Sequence, residues 1–179
     1  MLKSEVTTVK AKKLALCALC AAMTVVCAWL SLPLGSITFT LQSFAVSLSL
    51  LLLGGKWGAV SVFVYLLLGA VGLPVFSGFR GGIGMVLGAT GGYLFGFLAM
   101  ALVFWLITAV FGEKCRIPAL ISGQLACYAC GTVWMAAVYV RQWSSILSLL
   151  TVCVAPYVLP DAAKLLLACL LAKRLRRWL

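Results

Sequence analysis

Two ionisable residues stand within an apolar segment near the end of the chain. Asp161 and Lys164 are three positions apart, so a helix would place both side chains on one face. Pro160 predicts a helix start or a kink beside Asp161, where an acidic side chain suits a helix N-terminus. Such a pair indicates a binding site for a ligand with hydrogen-bond donors and an anionic group. The alternative is an ion pair that only neutralises two buried charges.

Glycine is concentrated between residues 69 and 96, which hold ten of the 17 glycines. Within this run Arg80 precedes Gly81 and Gly82, and Tyr93 near its end could form an apolar wall or a membrane anchor. Glycine permits positive φ and close backbone approach to a ligand, so we expect a loop that covers the ligand. Tight packing of the third and fourth predicted helices through small residues is the alternative. The run lacks the G-x-x-x-x-G-K-[ST] pattern of a phosphate-binding loop.

Gln42 is a third polar feature, and it lies close to Thr38 and Thr40 at the start of an apolar segment. Its amide can offer a donor and an acceptor to a ligand. A bridge between two helices would use the same two groups. Both interpretations are compatible with the sequence.

The first apolar segment carries a pattern of small residues at the spacing of a helix face. Such spacing allows two helices to approach closely. The contact is either internal packing or a docking face for another membrane subunit. The residues are Ala11, Ala15, Ala18 and Ala22.

The chain offers little for catalysis or metal binding. It has no histidine and only three acidic residues, so it lacks a nucleophile–base pair and paired carboxylates. Cys17-x-x-Cys20 and Cys127-x-x-Cys130 have the spacing of half zinc sites, but no histidine and no orienting polar residues accompany them. The sequence therefore predicts no enzyme, no metal site and no cofactor, with the cysteines as reduced, buried thiols.

The amino-acid composition indicates that these residues lie in a membrane protein. Of the 179 residues, 65% are hydrophobic and 9% are charged, whereas a soluble domain has about 25% charged residues. Too little charge remains to cover a water-soluble surface, which excludes a cytosolic globular enzyme. Because a transmembrane helix needs roughly 20 apolar residues, we predict an all-α membrane protein with one six-helix domain over residues 1–179. The predicted spans are about 14–32, 38–53, 57–73, 92–111, 118–140 and 146–172, with a turn at Gly54-Gly55-Lys56.

The net charge of +11 predicts an orientation in the membrane and no nucleic-acid partner. With the N-terminus in the cytoplasm, basic residues on the outer side are only Arg80 and Arg141, which satisfies the positive-inside rule. Both ends are therefore predicted in the cytoplasm, for a multi-pass protein of the cytoplasmic membrane. The basic residues on the cytoplasmic side are Lys3, Lys10, Lys12, Lys13, Lys56, Lys114, Arg116, Lys173, Arg174, Arg176 and Arg177.

Four motifs occur in a fixed order along the chain. They are Gly72-Leu73-Pro74-Val75-Phe76, Arg80-Gly81-Gly82-Ile83-Gly84, Thr90-Gly91-Gly92-Tyr93, and Pro156-Tyr157 continuing to Asp161-x-x-Lys164. Together with Leu41-Gln42-Ser43-Phe44 they resemble the BioY family, the biotin-binding S components of energy-coupling factor (ECF) vitamin transporters. The resemblance covers nearly the whole chain. This sequence departs from the family pattern at Ala89, Leu94 and Pro160.

The resemblance implies high-affinity capture of biotin from the outer side of the membrane. Asp161 would accept a hydrogen bond from a ureido N–H, Lys164 would pair with the valerate carboxylate, and Arg80 would contribute a polar contact. The other predicted binding residues are Gln42, Tyr93, Gly81 and Gly82. The implied partners are a transmembrane coupling subunit, docked on the alanine face of the first helix, and two cytoplasmic ATPases, which alone bind ATP.

Three other functions remain compatible with the residues. The same architecture could serve another anionic vitamin. A stand-alone proton-coupled carrier would use Asp161 as the titrating group, and its uptake would survive ATP depletion. A structural or assembly protein would use Asp161 and Lys164 only as an ion pair, and apolar replacement of both would leave it stable and its phenotype unchanged.

Overall fold

The chain folds as a group of long helices joined by short connections. The computed structural model describes residues 2–34, 37–140 and 146–177, so Arg141 lies outside the described residues. A 3₁₀ turn, Glu113–Cys115, and a π-helix, Met135–Val140, flank the fifth helix. The helices are α1 (Leu2–Trp29), α2 (Gln42–Ala70), α3 (Ile83–Val86), α4 (Gly91–Phe111), α5 (Arg116–Trp134), α6 (Ile146–Cys153) and α7 (Ala155–Leu175).

Helices of membrane-spanning length and apolarity dominate the described residues. Five segments meet both criteria, and together they confirm a predominantly helical chain with several membrane-span helices. α2 alone corresponds to most of the two predicted spans 38–53 and 57–73. The predicted span 146–172 corresponds to α6 and most of α7, which meet at Val154. The five segments are Lys10–Trp29, Gln42–Ala70, Gly91–Phe111, Glu113–Val138 and Ala155–Leu175.

α2 reverses direction at Gly54, as the sequence predicts. Gly54 has φ 78° and ψ 173°, a conformation that glycine adopts without the steric penalty of a Cβ atom. A Cβ atom at Gly58 would lie 2.8 Å from Leu50 Cδ2 and 2.9 Å from its Cα. Residues eight positions apart are about 12 Å apart along a straight helix. α2 is therefore a hairpin of two helical halves, 42–53 and 55–70.

The connection between α1 and α2 is a β-hairpin, which the sequence analysis did not predict. Strand β1 (Ser31–Leu34) pairs antiparallel with β2 (Ile37–Thr40), and Ser31 lies opposite Thr40. α2 begins at Gln42, so residues 38–40 of the predicted span 38–53 form a strand beside the cavity and not a first helical turn. β2 consists of β-branched and aromatic residues, which favours a strand, but four residues are too few to stand out between two long apolar runs.

Glycines bring α4 and α5 into close contact. A Cβ atom at Gly96 would lie 2.8 Å from Cys127 Sγ, and one at Gly123 would lie 2.9 Å from Met100 Cγ. Helix packing therefore explains the C-terminal part of the glycine-dense run. The partners differ from those predicted, because α4 and α5 correspond to the fourth and fifth predicted spans.

α1 has one face buried in the protein and one face open. The hydroxyl of Thr24 on the buried face donates to the Cys20 carbonyl at 2.9 Å, and the hydroxyl of Ser61 on α2 donates to the Cys17 carbonyl at 3.0 Å. The buried residues of α1 are Cys17, Cys20, Ala21, Thr24, Cys27 and Ala28. The exposed residues include the predicted docking set Ala11, Ala15, Ala18 and Ala22. These alanines do not pack inside the described part of the chain.

Candidate functional site

A cavity lies where the β-hairpin, α2, α4, α5, α7 and the connection between α2 and α4 meet. We call this connection the 71–90 segment; it contains α3. Aromatic and aliphatic side chains form most of the wall, and polar side chains gather on α7 and the start of α2. A concave, largely apolar site with a few polar groups is typical of small-molecule binding. The apolar wall includes Phe39, Phe76, Leu94, Phe97 and Tyr157.

Asp161 is the centre of the polar cluster and is only 7% exposed. Its Oδ1 accepts hydrogen bonds from Ser43 Oγ at 3.1 Å and from Lys164 Nζ at 2.8 Å. Its Oδ2 accepts from the Tyr128 hydroxyl at 2.6 Å and from Gln124 Nε2 at 3.3 Å. Each carboxylate oxygen therefore has two donors, which fills its ordinary capacity.

The ammonium group of Lys164 is equally well partnered, with 8% of the residue exposed. Nζ donates to Asp161 Oδ1 at 2.8 Å, to the Thr40 carbonyl at 2.6 Å and to Ser43 Oγ at 3.3 Å. It also lies 3.8 Å from the ring centroid of Phe39, a cation–π contact. An ammonium group has three N–H donors, so all are used. Buried charge of this kind is tolerated because it is paired and hydrogen-bonded.

α7 positions both charged residues within the predicted span 146–172. The helix starts at Ala155 with Pro156 in its first turn, where the missing N–H of proline costs nothing. Pro160 lies inside the helix, so of the two predicted alternatives a helix start beside Asp161 is excluded and a kink there stays a prediction. The i,i+3 spacing of Asp161 and Lys164 places both side chains toward the cavity, as predicted.

Gln42 links the start of α2 to the 71–90 segment. It is 5% exposed, and its Oε1 accepts from Thr40 Oγ1 at 2.9 Å. Its Nε2 donates to the Tyr65 hydroxyl, which in turn donates to the Val75 carbonyl at 3.3 Å. Both ends of this amide are therefore used within the protein. Gln42 lines the cavity, and its contact with a ligand stays a prediction.

Backbone contacts give the 71–90 segment its shape. The Phe76 N–H donates to the Arg80 carbonyl at 2.9 Å, and the Gly82 N–H donates to the Gly69 carbonyl at 2.7 Å. Gly82 has φ 94°, and a side chain at Gly81 would overlap a backbone carbonyl. The glycines are thus required by the fold of the segment itself.

Trp29 ties the end of α1 to the same segment. Its Nε1 donates to the Pro74 carbonyl at 2.8 Å. Its ring stacks on Phe79 with centroids 4.9 Å apart and an interplanar angle of 28°. Phe79 has φ 57°, in the left-handed region that residues other than glycine rarely adopt. These contacts hold the turn before Arg80 against α1.

The chain matches known proteins over nearly its whole length. The profile of the BioY family matches residues 2–179. The chain belongs to the BioY family. It is 42% identical over 161 residues to the biotin transporter BioY of Thermotoga maritima, covering 87% of this chain and 90% of that protein. It is 38% identical over 167 residues to the probable biotin transporter BioY of Pyrococcus horikoshii, covering 93% of this chain and 98% of that protein.

A solved structure shares the fold of this BioY family member. It is the crystal structure of the S-component for biotin from an ECF-type ABC transporter, and the two chains superpose with a TM-score of 0.83. The sequence identity is 24%, and the match covers 95% of this chain and 93% of the other. The arrangement of helices around the cavity is therefore that of an S component.

The binding residues predicted from the sequence of this BioY protein separate into two groups. Those that line the cavity are Asp161, Lys164, Gln42 and Tyr93. Those outside the described lining are Arg80, Gly81 and Gly82. Arg80 is exposed, and the contact of all seven residues with a ligand stays a prediction.

The sequence analysis did not single out Ser43, Gln124 or Tyr128, although all three contact Asp161. A signal was present for Gln124, because it is a strongly polar residue inside the predicted span 118–140. Burying such a group without partners is costly. Tyr128 follows four positions later on the same helix face. A polar residue in an apolar span is thus the feature that would have revealed this half of the site.

Proposed function

We propose that this chain is the biotin-binding transmembrane subunit of an ECF-type vitamin uptake transporter. The main support is the apolar-walled cavity with the Asp161–Lys164 cluster, in a chain whose relatives are named biotin transporters. Biotin has an apolar bicyclic body, a urea with donors and an acceptor, and a carboxylate. A site of this composition suits such a ligand. The chain carries no nucleotide-binding motif, so partner ATPases supply the energy.

In this proposal Asp161 accepts from a ureido N–H and Lys164 pairs with the carboxylate, with the valerate chain folded back toward the urea because Asp161 Oδ1 and Lys164 Nζ are only 2.8 Å apart. The Asp161 carboxylate and the Lys164 ammonium already have their full number of hydrogen bonds, so a ligand that binds them replaces existing contacts. The Lys164 Nζ–Ser43 Oγ contact, at 3.3 Å, is the longest of the three that the ammonium makes. A carboxylate is a stronger acceptor than a hydroxyl for an ammonium donor. The ligand carboxylate therefore replaces Ser43 at Lys164.

We also propose six membrane crossings with both ends in the cytoplasm. The crossings are α1, the two halves of α2, α4, α5 with its π-helix, and α6 with α7. The reversal at Gly54 supports two crossings within α2. The first half, 42–53, is short for a bilayer, and β2 extends it beside the cavity. Irregular backbone at membrane depth requires partners within the protein, and the Thr40 carbonyl has one in Lys164.

The exposed alanine face of α1 is the proposed docking surface for a transmembrane coupling subunit. Small side chains allow a partner helix to approach closely, and the four alanines of this face are exposed. Ala18→Trp places a bulky ring on the face. We expect biotin uptake by cells to fall by about tenfold or more with unchanged biotin binding by the purified subunit. Leu19→Trp, at an exposed neighbouring position, is the matched control.

Titration of the purified, detergent-solubilised chain with biotin tests the proposed function directly. Calorimetry should give saturable binding with one biotin per chain. Folded protein that does not bind biotin would contradict the proposal, and a panel of other anionic vitamins would then test the same fold with a different ligand. Biotin uptake that persists in ATP-depleted cells would contradict ATPase-driven import and indicate a proton-coupled carrier.

A further inference from the structure

Two buried glutamines line the cavity, and they differ in how their amides are used. Gln42 has a protein partner at each end of its amide. Gln124 is 6% exposed, and its Nε2 donates to Asp161 Oδ2 at 3.3 Å. Its Oε1 is buried and has no hydrogen-bond partner within the described residues. A buried carbonyl oxygen without a donor is unfavourable, because it has given up water and gained nothing.

The orientation of the Gln124 amide follows from its neighbour. A rotation that exchanged Oε1 and Nε2 would place the carbonyl oxygen against Asp161 Oδ2. Both atoms are acceptors, so they would repel each other. Asp161 therefore holds the nitrogen of Gln124 and leaves the oxygen without a donor.

The nearby protein donors are already committed. The single hydroxyl hydrogens of Ser43 and Tyr128 go to Asp161, and the three N–H groups of Lys164 go to Asp161, Thr40 and Ser43. Gln124 lines the cavity, so a bound ligand can supply the donor that its Oε1 does not receive from the described residues. Because the charges of Asp161 and Lys164 already compensate each other, the donor that fits is a neutral N–H group.

We propose that Gln124 is a specificity-determining residue whose side-chain carbonyl accepts a hydrogen bond from a neutral N–H group of the ligand. This inference rests on the proposed function, and it assigns the second donor of the urea. A urea ring carries two N–H groups. Asp161 is the acceptor for one of them, and Gln124 is the acceptor for the other. A site with both acceptors rejects ligands that lack either donor, because a buried acceptor would stay unpaired.

The test combines a variant with methylated ligands. Gln124→Met keeps the length of the side chain and removes the carbonyl. Dissociation constants are measured for biotin, N1′-methylbiotin and N3′-methylbiotin. We expect methylation of the nitrogen that faces Gln124 to weaken binding to the original protein by about 10- to 100-fold. Gln124→Met should weaken the binding of biotin by a similar factor. This variant should then bind biotin and that one analogue with about the same dissociation constant.

Two further variants serve as controls. Thr108→Val removes a buried hydroxyl on α4 that donates to the Phe104 carbonyl away from the cavity, and it should leave all three dissociation constants unchanged. Gln124→Asn keeps the amide but withdraws its carbonyl by one methylene group. It should reproduce the pattern of Gln124→Met if the latter does not fold.

The outcomes separate this inference from the proposed function. An unchanged dissociation constant for biotin in a folded Gln124 variant would overturn the role of Gln124 alone. Equal losses for biotin and both analogues would also overturn it, because they would indicate a general disturbance of the site. Failure of the original protein to bind biotin would overturn both. Selective loss of discrimination at one ureido nitrogen supports both.

Discussion

The polar cluster around Asp161 and the 71–90 segment were both predicted to contact the ligand, but the charged residues of the two regions differ in burial and in their position relative to the cavity. Asp161 and Lys164 are buried and line the cavity. Arg80 is exposed and lies outside the described lining. The residues of the segment that do line the cavity are Phe76, Ser77, Met85 and Thr90.

The difference follows from where each group stands in the membrane. A charged residue within a span is not solvated by water, so its hydrogen-bond and ionic partners must lie inside the protein. A charged residue in a connection can stay in water at no cost. The position of a charge in a span therefore predicts where its side chain points, whereas a charge in a loop does not.

The largest expected effect is that of Asp161→Asn. The variant keeps the shape of the side chain but leaves the buried ammonium of Lys164 without its counterion. Breaking a buried pair in this way costs about 3–5 kcal/mol of unfolding free energy. We expect a lower melting temperature in detergent and a loss of biotin affinity of about 100-fold or more.

A double variant separates stability from binding. Asp161→Asn with Lys164→Met removes both charges, so the melting temperature should recover relative to Asp161→Asn alone. Biotin binding should stay lost. Full biotin binding by the double variant would show that the pair is only structural, as in the assembly-protein alternative.

The second effect concerns the other half of the pair. Lys164→Ala should weaken biotin about tenfold more than biotin methyl ester, because only the acid loses a charge-assisted contact. Parallel titrations of the two ligands measure the ratio. Equal losses of affinity for the two ligands would show that Lys164 does not pair with the biotin carboxylate and serves only as a counterion for Asp161.

A smaller effect is expected from the 71–90 segment, through Phe76. This side chain is 1% exposed and packs edge-on against Tyr65, with centroids 5.7 Å apart. A methyl group at Gly69 would overlap the Phe76 ring. Gly69→Ala should displace the ring from the cavity wall and raise the dissociation rate of biotin by about tenfold.

A chase of labelled biotin with unlabelled biotin measures that rate. Gly84→Ala is the matched control, since nothing lies within 4 Å of a Cβ atom at that position. A dissociation rate that does not respond to Gly69→Ala would show that the Phe76 ring does not retain the ligand.

The smallest effect is expected for Arg80→Ala. An exposed side chain away from the cavity contributes little, so the dissociation constant for biotin should change by less than about threefold. Calorimetry on the purified variant measures it. A loss of more than about tenfold would mean that the 71–90 segment moves on binding and brings Arg80 to the ligand, as the resemblance to the family implies.

Much of the fold could be predicted from the sequence because apolar runs and their breakers are local signals. Gly54 marks the reversal of α2. The close packing through glycines was predicted for the third and fourth spans, whereas it joins α4 and α5. The pairing of β1 with β2 was missed because both strands are short. The break at Val154 was missed because its neighbours are apolar on both sides.

The candidate site shows the same limit more sharply. Asp161 and Lys164 form a pair that spacing alone reveals. Their other partners come from distant positions, with Ser43 118 residues from Asp161 and Gln124 37 residues from it. Spacing within one helix carries no information about such contacts. Only the packing of α2, α5 and α7 around one cavity brings them together.

The contact of Trp29 with the 71–90 segment allows intrinsic tryptophan fluorescence to report the position of that segment. The indole donates its N–H to the Pro74 carbonyl, and the ring of Phe79 covers one of its faces. Indole emission depends on both of these surroundings. Any displacement of the segment that separates the two rings therefore changes the emission of Trp29. The emission of the Trp29→Phe variant gives the contribution of the other tryptophans, which is subtracted. Movement of the segment can be followed in the unlabelled protein, in real time, while ligand enters or leaves.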